Sequence, residues 1–248
     1  MDGGDLPVST YENTMEEQMV QLEEEDVYID LSISSYTPIE LMSPEEIEAT
    51  FTRDVPATVE KVEKEFNHSV WASLLKEHVS EDGSVDYNGF KGDWNQLRKY
   101  IKELASNLPD SEWGPSAKMA YWINAYNALT IDLILRHYPL KSIKEINQPW
   151  KQRYWQLGEK WYNLDEIEHQ ILRKMGDARI HFAIVCASYS CPKLSKEAYL
   201  SASLDKQLTQ ATKIFLADPD KNKLSQDMVE LSKIFQWFAK DFKQNGTL

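Results

Sequence analysis

Cysteine and glycine are scarce in this sequence, with two cysteines and nine glycines among 248 residues. Two cysteines do not make a disulfide scaffold, and Cys186 and Cys191 stand so close in sequence that a bond between them would close only a small loop. We therefore expect reduced thiols. The chain also has no glycine-rich phosphate loop, which argues against a nucleotide-dependent enzyme.

Paired metal-ligand motifs are missing as well. Glu166 and His169 form a single Glu-x-x-His without a second copy, and no His-Glu-x-x-His occurs. Zinc held by His169, His181 and Cys191 would have no paired spacing behind it. We predict neither a metal nor another cofactor.

Long apolar runs are absent. No stretch reaches the length of about eighteen apolar residues that a spanning helix needs. The first thirty residues contain no basic start followed by an apolar run, which is the pattern of a signal peptide. These absences predict a protein without a membrane span that resides in the cytoplasm.

Basic residues are absent from residues 1–52, which contain fourteen Asp or Glu, whereas the rest of the chain is close to neutral. We interpret residues 1–55 as an acidic, largely disordered N-terminal arm and residues 56–248 as a single domain. Such an arm would avoid a nucleic-acid backbone but could dock a protein partner. Acids and bases alternate through the domain without forming a basic stripe, so we predict no nucleic-acid partner.

Hydrophobic periodicity predicts the fold class. Residues 116–136 are apolar on nearly every side, which is typical of a helix buried at the centre of a domain. Amphipathic spacing predicts another helix over Trp94–Leu104, and the aromatic stretch 154–162, interrupted at Gly158, predicts a two-stranded hairpin. Together these patterns predict an α+β fold in which helices pack around a small mixed or antiparallel sheet.

The run Ile180–Cys186 is short, apolar and rich in β-branched residues, which predicts an inner strand. Alternation along a strand would point His181 and Cys186 to opposite faces. Cys186 lies among aliphatic residues and is expected in the core. Cys191 follows the strand and precedes Pro192, where a loop side chain can face a cleft.

Cys191 is the candidate nucleophile. A cysteine nucleophile needs a base, a group that orients the base, and donors for the developing oxyanion. His169 is the first candidate base and His181 the reserve, and Glu168 or Asn127 could orient the imidazole. The residues that we expect to contribute binding contacts are Asn124, Glu166, Arg173, Arg179 and Ser190.

Each candidate also has a structural interpretation. Single histidines are often structural, and loop cysteines are common. Asn124 and Asn127, one turn apart in a buried helix, could instead bond to neighbouring loop backbone, because a buried amide must find partners. The sequence leaves both interpretations open.

Three blocks, Trp122–Thr130, Leu164–Arg173 and Arg179–Pro192, resemble the signature blocks of the domain-of-unknown-function 547 family. The resemblance covers residues 65–243. It implies a distant relation to papain-like or transglutaminase-like cysteine enzymes, and it favours the same five catalytic candidates. In those enzymes the nucleophile opens the central helix and precedes the histidine. The central helix here has no cysteine, and Cys191 follows both candidate histidines.

Two functions follow as hypotheses. The first is a thiol-dependent hydrolase or acyl transferase acting on a peptide-like or thiol-containing small substrate, in which Cys191 attacks and His169 accepts its proton. The second is a non-catalytic binding module, for which the acidic arm is a docking segment.

Overall fold

The central helix, Pro115–His137, is the element around which the fold is built. The computed structural model describes residues 64–188, 190–224 and 229–243. Proline occupies the first turn of the helix, where its missing N–H leaves no hydrogen bond unmade. Tyr121, Ile123 and Tyr126 are fully buried on different sides of the helix, so the prediction of a helix apolar all round is confirmed. The predicted acidic arm lies outside the described residues.

Eight helices are labelled here in chain order. They are α1 (Ser69–His78), α2 (Tyr87–Gly92), α3 (Trp94–Ser106), α4 (Pro115–His137), α5 (Leu164–Glu166), α6 (Leu204–Ala217), α7 (Lys233–Trp237) and α8 (Ala239–Phe242). A π-helical turn, Ile167–Leu172, continues α5 directly. Short 3-10 helices lie at Ile143–Glu145, Pro149–Lys151, Arg173–Met175, Ala178–Phe182 and Ser201–Ser203.

Two antiparallel hairpins supply the described strands. Strands β1 (Trp155–Leu157) and β2 (Lys160–Tyr162) pair Trp155 with Tyr162, and strands β3 (Lys223–Leu224) and β4 (Val229–Glu230) pair Lys223 with Glu230. Gly158 makes the first turn with a φ of 59°, which favours glycine. Its N–H donates to the carbonyl of Ala105 at 2.9 Å, so the turn is docked on the end of α3. The α+β prediction is confirmed, with a small antiparallel sheet beside a buried central helix.

The predicted strand over Ile180–Cys186 is wrong. Residues Ala178–Phe182 form a 3-10 helix, and the chain continues to Ser188 without regular structure. The Asp177 carboxylate accepts the Arg179 backbone N–H and caps this helix, while the N–H groups of Ala183 and Ile184 both donate to the Ile180 carbonyl. A short apolar run cannot be assigned to a strand or a buried helical turn by periodicity alone.

The main core packs α1 and α3 against the central helix. Trp71 and Tyr100 are fully buried, and their rings stack with centroids 5.9 Å apart. A second apolar cluster joins the 3-10 helix to α6 and the two C-terminal helices through Phe182, Phe215 and Ile234. Phe242 of α8 packs against this cluster, which places α8 next to the functional site. Across the described ranges, no helix combines the length and the hydropathy needed to cross a membrane.

Candidate functional site

The candidate site begins where the hairpin runs into α5. Asn163 caps this helix, because its side-chain oxygen accepts the Glu166 backbone N–H at 2.8 Å. The backbone then widens into the π-helical turn, which buries Ile167 and Leu172 against the core. Glu168 and His169 lie within that turn. Such π-helical turns are rare and occur frequently at functional sites.

Glu168 is a partly buried carboxylic acid. The Tyr126 hydroxyl donates a hydrogen bond to its Oε2 at 3.2 Å. Burial raises the pKa of Glu168, and the neighbouring His169, Tyr126 and Arg173 offset part of that effect. The pKa of Tyr126 is raised well above its ordinary value, chiefly by burial, so the phenol keeps its proton and acts as a donor.

His169 is held by Arg173. The Nη1 of Arg173 lies 3.0 Å from Nδ1 of His169. A guanidinium has only donors, so Nδ1 must be the acceptor and the neutral ring carries its proton on Nε2. That nitrogen is 3.6 Å from Asp165 Oδ1, and the imidazole is 33% exposed. With Nδ1 bound to Arg173, the Nε2–H of this partly exposed ring faces Asp165.

Asp241 on α8 links Arg173 to His181. Its carboxylate accepts from Arg173 Nε at 2.6 Å and Nη2 at 2.8 Å, and lies 2.8 Å from His181 Nε2. The hydrogen bonds from Arg173 lower the pKa of Asp241 to about 2. The pKa of His181 is lowered by burial, and its ring stacks on Phe238 with centroids 3.8 Å apart. His181, the reserve base, thus lies inside the protein.

The expectation of reduced thiols is wrong, because Cys186 and Cys191 form a disulfide. Ala187 adopts a left-handed φ of 55°, and the Cys191 N–H donates to the Ser188 carbonyl, so the loop folds back and brings the two Cα atoms to 6.2 Å. The burial of the two residues is the reverse of the prediction, since Cys191 is 8% exposed and Cys186 is only half-buried.

The disulfide changes what Cys191 can do. In this form Cys191 has no thiolate to act as a nucleophile. Within the described ranges, the hydrogen bonds of His169 and His181 go to Arg173 and Asp241 and not to Cys191. The thiol mechanism therefore requires reduction of the Cys186–Cys191 bond first.

Asn124 and Asn127 bond to loop backbone, which is the structural one of the two alternatives that the sequence left open. Asn127 donates to the Ala183 carbonyl at 3.0 Å and accepts the Val185 N–H at 2.9 Å. Asn124 makes the same pair of bonds with the N–H and carbonyl of Tyr199. The central helix thus fixes both segments through side-chain amides.

The remaining predicted binding residues also have protein partners. Glu166 is paired with Arg153 and Lys160. The Ser190 carbonyl accepts a hydrogen bond from the Ser232 hydroxyl at 3.3 Å. These contacts tie the hairpin to α5 and the cysteine loop to the start of α7.

Arg179 joins the 3-10 helix to α6. It forms ion pairs with Asp177 and Asp205 and donates to the Thr209 hydroxyl at 2.8 Å. It also lines a cleft of about 330 Å³ at the first turn of the central helix, next to Met119. These two ion pairs neutralise the Arg179 guanidinium, so Arg179 contributes no unpaired charge to the wall of the cleft.

Two residues of the site were not predicted from the sequence. Tyr126 lies between the two asparagines on a helix that was predicted correctly. Its place on that helix was therefore a signal that it lies near the site, although its contact with Glu168 depends on tertiary packing. Asp241 is an acid in an aromatic C-terminal segment, and no spacing relates it to Arg173 or His181. Only the packing of α8 brings it there.

One group in the described part of the chain has ligand atoms close enough together for a metal ion. It consists of Glu77, His78 and Asp93, with all three ligand atoms within 4.8 Å of one another. The Nε2 of His78 lies 2.9 Å from Asp93 Oδ2, so a hydrogen bond accounts for their closeness. None of these residues belongs to the Glu168 cluster, by which we mean Tyr126, Glu168, His169, Arg173, His181 and Asp241.

Residues 111–216 match a family model described as a protein of unknown function, DUF547. The chain contains a DUF547 domain. The match covers the central helix, the first hairpin, Glu168, His169 and both cysteines, which confirms the resemblance over this part of the sequence. Asp241 lies beyond the matched residues of the DUF547 domain. No curated protein and no solved structure matches the chain.

Proposed function

We propose that the DUF547 domain is a hydrolase of acyl compounds in which Glu168 is the general base. The observation that carries this proposal is the partly buried Glu168 carboxyl group, which accepts a hydrogen bond from Tyr126 and whose pKa is raised by desolvation. A base works best when its pKa lies near the operating pH, and a raised pKa moves a carboxyl group in that direction. Tyr126 occupies only Oε2, so Oε1 has no hydrogen-bond partner among the residues that the structure describes.

The proposed reaction uses only Glu168, a water molecule and the acyl substrate. Ionised Glu168 removes a proton from water, and the resulting hydroxide adds to the acyl carbon of an ester, thioester or amide. The oxyanion then collapses and expels the leaving group, which takes the proton from Glu168. The carboxylate is regenerated, and the net change is hydrolysis of one acyl bond.

His169 has a different role in this proposal from that of a base. Its Nδ1 is occupied by Arg173, so its Nε2–H is the group available to donate to the developing oxyanion. Asp241 holds Arg173 through two hydrogen bonds and thereby keeps the imidazole in this tautomer. Arg173 and Asp241 are positioning residues here.

The thiol-dependent form of the proposal applies to the reduced protein. A dithiol would supply two electrons and two protons to break the Cys186–Cys191 bond. The Cys191 thiolate would then replace water as the attacking group: it adds to the acyl carbon and expels the leaving group, which takes up the proton released from the thiol. Water hydrolyses the resulting thioester in a second step and regenerates the thiol. Peptide-like and thiol-containing substrates fit this form.

Substitution Glu168→Gln tests the base directly. We expect hydrolysis of p-nitrophenyl acetate and of a peptidyl coumarin amide to fall by about 10² to 10⁴-fold, the range for loss of a general base. Gln170→Ala, an exposed change in the same helical turn, serves as the matched control and should retain the rate. Full activity in the Glu168→Gln protein contradicts the assignment. Assays with and without dithiothreitol on the Cys191→Ser protein separate the water and thiol forms.

Substitution Tyr126→Phe should shift the pH profile. The phenol donates to the ionised carboxylate and lowers the pKa of Glu168, so its removal raises that pKa further. We expect the acidic limb of kcat/KM to move to higher pH by about half to one unit, the equivalent of one modest hydrogen bond. A purely structural role for Tyr126 would lower the rate at every pH without moving the limb.

A non-catalytic binding module is the second candidate. It is favoured by the number of predicted site residues whose polar groups are already bonded within the protein, namely the catalytic candidate Asn127 and the binding candidates Asn124, Glu166 and Arg179. Under this alternative, Glu168→Gln and Cys191→Ser would retain the protein's cellular phenotype, whereas deletion of residues 1–52 would abolish it. The opposite pattern favours the hydrolase.

A further inference from the structure

A cleft of about 270 Å³ lies between α3 and β1, on the side of the central helix that carries Asp132. The lining residues include Arg98 and Lys102 of α3, Arg136 of α4, and Tyr154, which directly precedes β1. It shares no residue with the Glu168 cluster. Its chemistry can therefore be considered independently of the proposed hydrolase.

The floor of the cleft is a fully buried carboxylate. Asp132 accepts hydrogen bonds from the indole N–H groups of Trp94 and Trp155 and from Arg136 Nε, each at 2.7 Å. These three donors engage both oxygens of the carboxylate. The hydrogen bond to Nε fixes the Arg136 guanidinium and leaves its two terminal nitrogens without hydrogen-bond partners in the described part of the chain.

Two further cations on the wall have no balancing acid. The Arg98 guanidinium stacks on the Trp94 indole at 4.0 Å and forms no ion pair within the described residues. Lys102 is exposed and likewise has no carboxylate partner in these ranges. Arg136 is stacked on the Tyr154 ring at 4.7 Å. Three cations thus face one carboxylate, both of whose oxygens already accept hydrogen bonds.

We propose that this cleft binds a small phosphate monoester through Arg98, Lys102 and Arg136. Two guanidinium groups and an ammonium match the charge and the three terminal oxygens of a phosphate dianion, and planar guanidinium groups bind such oxygens in pairs. Stacking on Trp94 and Tyr154 holds both guanidinium groups in place, which reduces the entropy lost on binding. Ile101 and Ala105 complete an apolar wall for the organic part of the ester.

Calorimetric titration of the full chain with three probes tests this proposal. The probes are phenyl phosphate, inorganic phosphate, and phosphatidylcholine vesicles containing phosphatidic acid. We expect saturable binding that weakens with added salt. Arg98→Gln and Lys102→Gln should each weaken binding about tenfold, the effect of losing one hydrogen bond to a charged group. Both side chains are exposed, so the variants should retain the wild-type unfolding transition.

Lys99→Gln is the matched control, because Lys99 lies on the same helix, is exposed and does not line the cleft. Binding of the soluble phosphates with loss in the Arg98 and Lys102 variants supports a soluble ester. Binding confined to vesicles with the same dependence supports the phosphate of a lipid headgroup. Binding of none of the probes, or equal weakening in the Lys99→Gln protein, overturns the proposal.

Discussion

Replacement of Asp132 by Ala is expected to reduce the free energy of unfolding by about 3–5 kcal/mol, the loss typical of removing one partner from a buried charged network. The Asp132 carboxylate is 0% exposed and accepts from Trp94, Trp155 and Arg136. Its removal leaves the Trp155 indole N–H buried without an acceptor. It also removes the hydrogen bonds by which Trp94 of α3 and Trp155 of β1 are joined to the central helix.

Urea denaturation followed by circular dichroism measures this loss. Glu103→Ala is a suitable control, because this carboxylate is 42% exposed on α3 and surface substitutions usually change stability by no more than about 0.5 kcal/mol. Asp132→Asn should give an intermediate loss, since the amide keeps one acceptor oxygen. A loss below about 1 kcal/mol in the Asp132→Ala protein would show that the network contributes no more than an ordinary contact.

Replacement of Asp241 by Ala should lower the free energy of unfolding by about 2–3 kcal/mol, the range for hydrogen bonds to charged groups. Asp241 makes two hydrogen bonds with Arg173 and one with His181. Without Asp241, the short helix α8 keeps only its aromatic contacts, and Arg173 loses the group that aligns it with His169. Lys240→Ala, an exposed change on the same helix, is the control.

The effect of Asp241→Ala should depend on pH in a defined direction. The pKa of Asp241 is lowered from 3.8 to about 2 by Arg173, so its contribution is fully present above 3.8 and is lost as the pH falls towards 2. The stability difference between wild type and variant is therefore expected to be largest at neutral pH and to narrow below 3.8. A difference that stays constant down to the acid transition would contradict this assignment.

His181 adds a separate acid dependence to the wild-type protein. Burial lowers its pKa below the ordinary value of 6.5. The unfolded chain binds a proton at His181 as the pH falls through 6.5, whereas the folded protein does not, so stability decreases with falling pH. Asp241 raises the pKa of His181 and limits this effect.

The sequence by itself determined the elements whose hydrophobic pattern has one physical solution. Residues 116–136 are apolar on every side, and such a helix is stable only in the middle of a core. The amphipathic segment that begins at Trp94 could bury only one face, and the aromatic residues on both sides of Gly158 could pair only as a hairpin. Three sequence blocks, Trp122–Thr130, Leu164–Arg173 and Arg179–Pro192, identified the DUF547 family. The second of them contains Glu168 and His169.

Tertiary structure decided the segment from Ile180 to Cys191. Its apolar residues fit a strand as well as a buried turn, and a strand needs a neighbour to satisfy its backbone. The described structure supplies a side chain instead: Asn127 bonds to the Ala183 carbonyl and the Val185 N–H. The chain then turns back at Ala187 and brings Cys186 to Cys191.

Tertiary structure also decided the charge partners of the site. Hydrogen bonds and pKa values depend on distances between side chains that are far apart in sequence, such as Tyr126 with Glu168, or Arg173 with Asp241. Local spacing contains no information about these distances. The sequence could therefore name a carboxylate and a histidine as candidates for chemistry, but only the packing of α4 and α8 around them determined their hydrogen-bond partners.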